Sequence, residues 1–421
     1  MTATSGEDPV EHRPLEGVRV LDLTVALSGP YATLILVALG AEVIKIESPG
    51  GSDISRFNPP FATPSGELHL GGMEPGDVSL SVLARTRGKK SVELDLKSAA
   101  GRDVFYRLAR NSDAVVENLS DGVVDRLGVD YETLREINPA LIYCSLNGLG
   151  RPSAFPGTKA MDVIVQALSG AMDATGETDG PPLRFGLPIA DLLAPLYTVI
   201  GLQAALLSRR DTGRGQRVDV SMLEALASLL PFEHGDVLRR HGFPARSGNH
   251  HDRLAPFGVY RTSDGHVALT GASDSWTAEI FAAMGVPELA VDPRFASRGP
   301  RAANAAVLNT MIEDWTAQRT TAEVLERLGT ERGVPCVRVR TGAEVLDDED
   351  LAERGVIGAL PGLTGEPLEA KAAGIPIRMS ATPVVLDQPA HPLGADTEDV
   401  LRTVAGLDDD ELAALRAVEA I

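Results

Sequence analysis

The stretch Val18–Ile46 constrains this chain more than any other. VRVLDL (Val18–Leu23) alternates, is rich in β-branched residues, and predicts a strand. Pro30 opens an apolar helix over Tyr31–Leu39 that stops at Gly40, and EVIKI (Glu42–Ile46) predicts the next strand. Strand, short helix and strand within about thirty residues form a βαβ unit, which implies a parallel sheet. The turn between strand and helix, Leu27-Ser28-Gly29-Pro30, is not a GxGxxG loop, so a dinucleotide cofactor is not supported.

The same rhythm continues downstream. Strands are expected at Ser91–Leu96, Asp113–Glu117, Ala140–Leu146 and Arg217–Ser221. Helices are expected at Ala99–Ala109, Tyr131–Glu136, about 161–170, 192–208 and from Met222. The Gly- and Pro-rich segment 48–87 has little periodicity and is expected to be a long irregular loop. Near residue 230 the texture changes. Gly258–Gly271 predicts a β-hairpin turning at Asp264-Gly265, followed by helices at 273–284, 302–318 and 321–329. From Pro335 the strand–helix pattern returns with VPCVRV and a helix over 342–353, and two short acidic helices are expected at 396–404 and 408–418. The expected architecture is α/β. A large parallel-sheet, Rossmann-like domain is built from residues 1–225 and 335–421, and a smaller α+β domain spans 226–334.

Charge and composition exclude several classes. With 39 Lys+Arg against 59 Asp+Glu the net charge is −20, which argues against nucleic acid as a partner but not against a small anion in a local basic pocket. Cys144 and Cys336 are the only cysteines, too few for a disulfide framework or a thiolate zinc site, and both are expected to be buried free thiols. Met1–Arg13 has no apolar signal-peptide core, and the apolar runs ATLILVALGA and DLLAPLYTVIGLQAALL are too short or too interrupted to span a bilayer. A cytoplasmic protein without membrane partners is the expectation.

There is no GxSxG elbow, Walker loop, HExxH or Cys/His metal spacing. His250 and His251 are adjacent, but neighbours on an extended segment point opposite ways and make a poor metal pair. The informative segment is Pro181–Ala205, where a Pro/Gly-rich loop delivers Asp191 to the start of a long apolar helix. Asp191 is expected at or beside the N-cap, and Pro195 in the first turn. Capping alone would account for an Asp there. The positive helix end would also keep a poorly solvated carboxylate ionised and able to attack an activated carbonyl.

The chain resembles the class III coenzyme A transferases, the family of formyl-CoA transferase and carnitine CoA-transferase, whose fold α-methylacyl-CoA racemase shares. The ordered markers are PLEGVRVLDLT (14–24), GPYATLILVALGAEVIKIESP (29–49), GKKSVELDLKS (88–98), DAVVENL (113–119), DYETLREINPALIYCSLNGLG (130–150), the Asp191 segment, RRDTGRGQRVDVSMLEA (209–225) and APFGVYRTSDG (255–265). The resemblance implies that Asp191 is a nucleophile passing through an aspartyl anhydride and an aspartyl-CoA thioester. It implies acyl-CoA and a small carboxylic acid as substrates, no permanently bound cofactor or metal, and an interlocked homodimer.

It further implies CoA contacts at Leu27 and Ser28, at Leu94, Asp95, Leu96 and Lys97, at Asn118, Leu119 and Arg126, and at Asn147 and Gly148. Lys97 and Arg126 would meet phosphate or adenine. Read without the resemblance, Lys89, Lys90 and Lys97 are a solvated strand end. Gly248, Asn249 and His250 fall where the family has a glycine-rich loop. Leu27 and Ser48 replace a Gln and an Arg of formyl-CoA transferase, which argues against oxalate-like acceptors. Met161 stands where the racemase has an acid/base His, and a thioether exchanges no protons. A racemase acting on bound acyl-CoA and a non-catalytic CoA-ester binder are the alternatives.

Overall fold

In the computed structural model, which describes residues 12–251 and 253–421, strand β1 (Arg19–Asp22), helix α1 (Ser28–Ala38) and strand β2 (Glu42–Glu47) form the expected βαβ unit. The polar N-terminal stretch lies, up to residue 11, outside the described residues. Segment 48–87 is more ordered than its sequence suggests. It holds a three-stranded antiparallel sheet, β3 (Phe61–Ala62), β4 (Leu68–His69) and β5 (Val78–Ser79), and helix α2 (Leu80–Arg85). Strands of two residues are too short to leave a periodic signal.

Four more strands then join β1 and β2: β6 (Lys90–Glu93), β7 (Ala114–Glu117), β8 (Ile142–Asn147) and β9 (Arg217–Ser221). All pairings are parallel, in the order β6-β2-β1-β7-β8-β9. Between them run α3 (Ala99–Arg110), α4 (Val123–Leu127), α5 (Tyr131–Ile137), α6 (Asp162–Leu168) and α7 (Ile189–Thr212), with α8 (Met222–Ala227) following β9. From β1 the chain steps outward to β2 and β6, then returns to β7 on the other side of β1. The reversal leaves a crevice between the carboxyl ends of β1 and β7, where sheets of this kind receive ligands.

Alternate residues of the strands feed two cores. Leu21, Ile44, Val92, Val115 and Tyr143 pack with Val104, Phe105 and Leu108 of α3 and with Leu401, Leu412 and Leu415 near the C terminus. Val20, Val43, Val116, Ile142 and Cys144 pack with Ile35 and Leu36 of α1 and Val199, Leu202 and Leu206 of α7. Burial on both faces explains why these strands read as apolar runs. By length and composition the 24-residue α7 is apolar enough to cross a membrane, contrary to the sequence expectation. Here its inner face lies on the sheet.

Two compact units emerge, one from residues up to Gln166 with Leu187–Ser228 and Asp348–Ile421, the other from Ala167–Gly186 with Leu229–Asp347. The second contains an antiparallel sheet of β10 (His250–His251), β11 (Leu254–Arg261), β12 (His266–Thr270) and β13 (Cys336–Arg338), in that order. Tyr260, Phe281, Phe295, Ile312 and Leu328 form its core. The hairpin turns at Asp264-Gly265 as expected.

The VPCVRV strand was assigned from sequence to the large domain. Instead it pairs antiparallel with β12, Ala268 opposite Val337, and as an edge strand it leaves Cys336 only partly buried. The expected helix over 342–353 is two helices, Gly342–Leu346 and Glu349–Glu353, because Asp348 caps a new N terminus through Leu351 N.

Candidate active site

The loop leaving β1 is held in place by buried charge. Lys89 Nζ, read from the sequence as a solvated strand end, is 1% exposed and bonds Asp22 Oδ2 (2.9 Å), Thr33 Oγ1 (2.6 Å) and the Pro30 carbonyl (3.0 Å). Lys89 and Lys45 hold the Asp22 carboxyl below its ordinary range despite its burial, while burial brings Lys89 down to about 8. Lys45 Nζ bonds the Thr24 carbonyl (2.7 Å) and Asp53 Oδ2 (3.2 Å), and Asp53 Oδ1 accepts from Ala26 N (2.9 Å). Ala26 is thereby fixed at φ +64°, a left-handed conformation that costs a non-glycine residue about 1 kcal/mol or more.

Across the crevice, Asn118 clamps the same loop. Its Oδ1 accepts from Val25 N (2.7 Å) and its Nδ2 donates to the Val25 carbonyl (2.9 Å). Gly29 makes the approach possible, since a Cβ there would lie 2.5 Å from Thr24 Cβ and 2.9 Å from Asn118 Cγ. Helix α1 therefore begins in the crevice. Leu27 occupies its N-cap position with no side-chain cap, and the buried Ser28 Oγ has no protein partner. An uncapped helix start with an unpartnered hydroxyl is a receptor for ligand oxygen.

The other expected contacts lie along the same carboxyl edge of the sheet. Leu94 is in the core and Leu96 packs against it, so at this stretch a ligand meets main chain and the exposed Lys97. Asp95 Oδ1 accepts from Lys97 N (3.0 Å) and shapes that turn. Leu119 N is held by Glu117 Oε2 (2.8 Å), and Arg126 is exposed on α4. Asn147 Oδ1 accepts from Gly150 N (2.6 Å). Gly148 touches the segment before α6 so closely that a Cβ would come within 2.0 Å of Ala160 Cβ. In the second unit Gly248 has φ +61°, and His250 Nε2 is buried without a partner.

Asp191 does not cap its helix. Helix α7 begins at Ile189 after Pro188, which offers no capping side chain, and Asp191 sits within the first turn. The cap comes from Asp162, the first residue of α6, whose Oδ1 accepts from Ala190 N (2.9 Å) and Asp191 N (3.4 Å). Gln166 Nε2 steadies the other oxygen at 2.7 Å. The Asp191 carboxylate is therefore left without a structural duty. Pro195 lies in the second turn, not the first as expected, and having no N–H it cannot donate to the Asp191 carbonyl. Burial, then the nearby Asp162 charge, raise Asp191 to about 6, against the opposing pull of Arg85. The group stays mostly ionised at neutral pH, as expected, although desolvation and like charge raise it above the free carboxyl. Met161, beside Asp162, is 68% exposed.

An unengaged, partly buried carboxylate titrating near neutrality, beside a crevice lined with free donors, is suited to attack an activated carbonyl. The model of CoA-transferase family III matches residues 15–397. The chain belongs to this family. It is 37% identical to a succinyl-CoA:mesaconate CoA-transferase of Haloarcula hispanica, over 87% of this chain and 90% of that protein. Identity to a formyl-CoA:oxalate CoA-transferase of Streptomyces coelicolor is 35%, over 96% and 98% of the two chains. Among solved structures, a CAIB/BAIF family protein from Brucella suis superposes with a TM-score of 0.77 at 33% identity, over 97% of this chain and 99% of that one.

Sequence reasoning missed Asp162 as the cap and Arg85 as the cation acting on Asp191. Asp191 at a helix start was visible, but its partner Asp162, 29 residues away, was not.

The pH dependence of stability follows from Asp191. Its folded value near 6 exceeds the 3.8 of the free side chain, so the folded state binds the proton more tightly. The group therefore costs stability above pH 6, and the cost fades as pH falls toward 4. Asp191→Asn should raise unfolding stability at pH 8 by about 1–2 kcal/mol, allowing for partial solvent screening, with the gain shrinking below pH 5. Urea denaturation at the two pH values checks this; a variant less stable than wild type at pH 8 would contradict it.

Proposed function

We propose that this chain moves coenzyme A from an acyl-CoA to a carboxylic acid with Asp191 as the nucleophile. The observation that carries the reading is the Asp191 carboxylate itself, raised to about 6 and relieved of capping by Asp162. An Asp191 oxygen attacks the thioester carbonyl, the C–S bond breaks, and CoA leaves as a thiolate, giving an aspartyl anhydride. The thiolate attacks the Asp191 carbonyl of that anhydride and releases the donor acid as a carboxylate, leaving an aspartyl-CoA thioester. The acceptor carboxylate attacks this thioester and expels the thiolate. The thiolate then attacks the acceptor's carbonyl, giving the new acyl-CoA and restoring the Asp191 carboxylate. Each step exchanges one activated acyl group for another, so no net proton or electron moves.

On this reading CoA lies along the carboxyl edge of the sheet. The Leu27-Ser28 turn supplies donors, the Asp95–Lys97 turn and Asn118-Leu119 line the path, Asn147 and Gly148 flank the thioester, and Arg126 takes a phosphate. Met161, a thioether where the racemase has an acid/base His, speaks against the racemase alternative.

The decisive variant is Asp191→Asn. The N-cap reading would leave it active, since Asn caps about as well as Asp. The nucleophile reading requires transfer to fall by at least about 10⁴-fold, since an amide cannot form the anhydride. Adding hydroxylamine to wild type and acyl-CoA should convert Asp191 alone to a hydroxamate, seen by peptide mass spectrometry. Substantial transfer by a folded Asp191→Asn protein would end the proposal.

Arg126→Ala should raise KM for the acyl-CoA by about 10-fold or more while changing kcat less. An unchanged donor KM in steady-state assays would remove Arg126 from the CoA path.

The reading includes a homodimer. The outer face of α7 presents Leu196, Tyr197, Ile200 and Leu207 at 40–60% exposure, and Val163 and Ile164 of α6 are also uncovered. Such a contiguous apolar surface calls for a partner. Light scattering should give twice the 44.4 kDa chain mass. A fully active monomer at nanomolar concentration would refute the dimer.

A further inference from the structure

Near the carboxyl ends of β1 and β2, three buried or nearly buried cations each have a carboxylate. Lys89 holds Asp22 at 2.9 Å, Lys45 holds Asp53 at 3.2 Å, and Arg56 is bonded to Glu47. Arg87, also buried, has no carboxylate but gives Nε and Nη2 to the Ala84 and Ala373 carbonyls. Arg85 has neither arrangement. It is the last residue of α2 and is half-buried, and its Nη1 donates to the Ala26 carbonyl at 2.8 Å. Among the described residues no carboxylate lies within ion-pair distance of it, and Nε and Nη2 have no protein acceptor. Asp53 and Asp191 reach it only through their fields, and burial lowers its pKa. A partly desolvated guanidinium with most of its donor fork unused is an unfinished ion pair.

Arg85 is not simply the counter-ion of Asp191, whose carboxyl stays raised despite it. Its hydrogen bond to Ala26 places it against the loop that starts α1, and α1 packs along α7, the helix that carries Asp191. The part of an acyl-CoA that reaches a nucleophile there is the neutral pantetheine arm, so CoA itself brings no anion to this point. The acid does. On the transferase reading above, we infer that Arg85 receives the second carboxylate of a dicarboxylic acid whose first carboxylate is exchanged at Asp191. The guanidinium fork matches a carboxylate in two parallel bonds and offers nothing to a methyl group.

Succinate and butyrate test this, because they share a four-carbon skeleton and differ in the second carboxylate. With propionyl-CoA as donor, wild type should favour succinate in kcat/KM by about 100-fold. Arg85→Met should lower the succinate value by about 100-fold and the butyrate value by less than about 3-fold, with Arg85→Lys falling between. Equal losses for both acids, a raised KM for propionyl-CoA in place of succinate, or no change would overturn the inference. A calorimetric titration of succinate into Asp191→Asn, with and without Arg85→Met, reads the same contact without turnover. Weaker binding in the double variant supports the contact, and unchanged binding overturns it. Failure of wild type to transfer to any acid would count against the transferase reading, and the titration would still decide Arg85.

Discussion

Everything at the crevice rests on the ion pair between Lys89 and Asp22, both essentially out of water. One ammonium group joins the end of β1, the first turn of α1 through Pro30 and Thr33, and the residue leading into β6. Burying such a pair costs about as much desolvation as its attraction returns, so stability alone is a weak reason to have it. Its effect is geometric. A salt bridge with three satisfied donors allows one arrangement of β1 and α1, and an apolar substitute would allow several. Lys45 with Asp53 extends this control to the Ala26 backbone.

A second constraint sets the chemistry. A helix must satisfy its first N–H groups, and the cheapest solution is an Asp at its own start. Here Asp162 reaches across from α6 to do so, and the gap at Gly148 lets its segment approach closely enough. Burial first, and then the neighbouring Asp162 charge, raise the carboxyl of Asp191, the one left without hydrogen-bond donors. A carboxylate with a higher pKa is the more basic nucleophile, yet one near 6 remains mostly ionised at neutral pH.

The sheet was legible because its strands are buried on both faces and its first βαβ unit is punctuated by Pro30 and Gly40, which are local signals. The placement of Asp191 in the first turn of a long helix was legible, because a Pro/Gly-rich loop feeding an apolar helix is also a local signal. What was not legible depends on distance along the chain. Lys89 sits in a GKK run that looks solvated, and only the folded sheet places it under α1. Pro195 was read one turn too early because the helix begins at Ile189, where Asp162 satisfies N–H groups that Pro188 cannot. The sheet that claims VPCVRV is chosen by β12, some seventy residues upstream.

Several unresolved tensions of this unit meet at the crevice. Ala26 is held left-handed, Ser28 has a buried hydroxyl without a partner, Asp191 faces a like charge, and Arg85 is desolvated without a carboxylate. Lys89, Lys45 and Arg56, in the same neighbourhood, are fully matched. Well-folded chains agree with themselves at every level and break local rules chiefly where a ligand or reaction completes the set. On the proposed reading the exceptions call for different complements: an oxygen for Ser28, an electrophilic carbon for Asp191, and an anion for Arg85. On that reading an acyl thioester would supply the first two, and an acid with a second carboxylate the third. The strained Ala26 is the joint between them, because it fixes the Leu27-Ser28 turn on one side and accepts from Arg85 on the other.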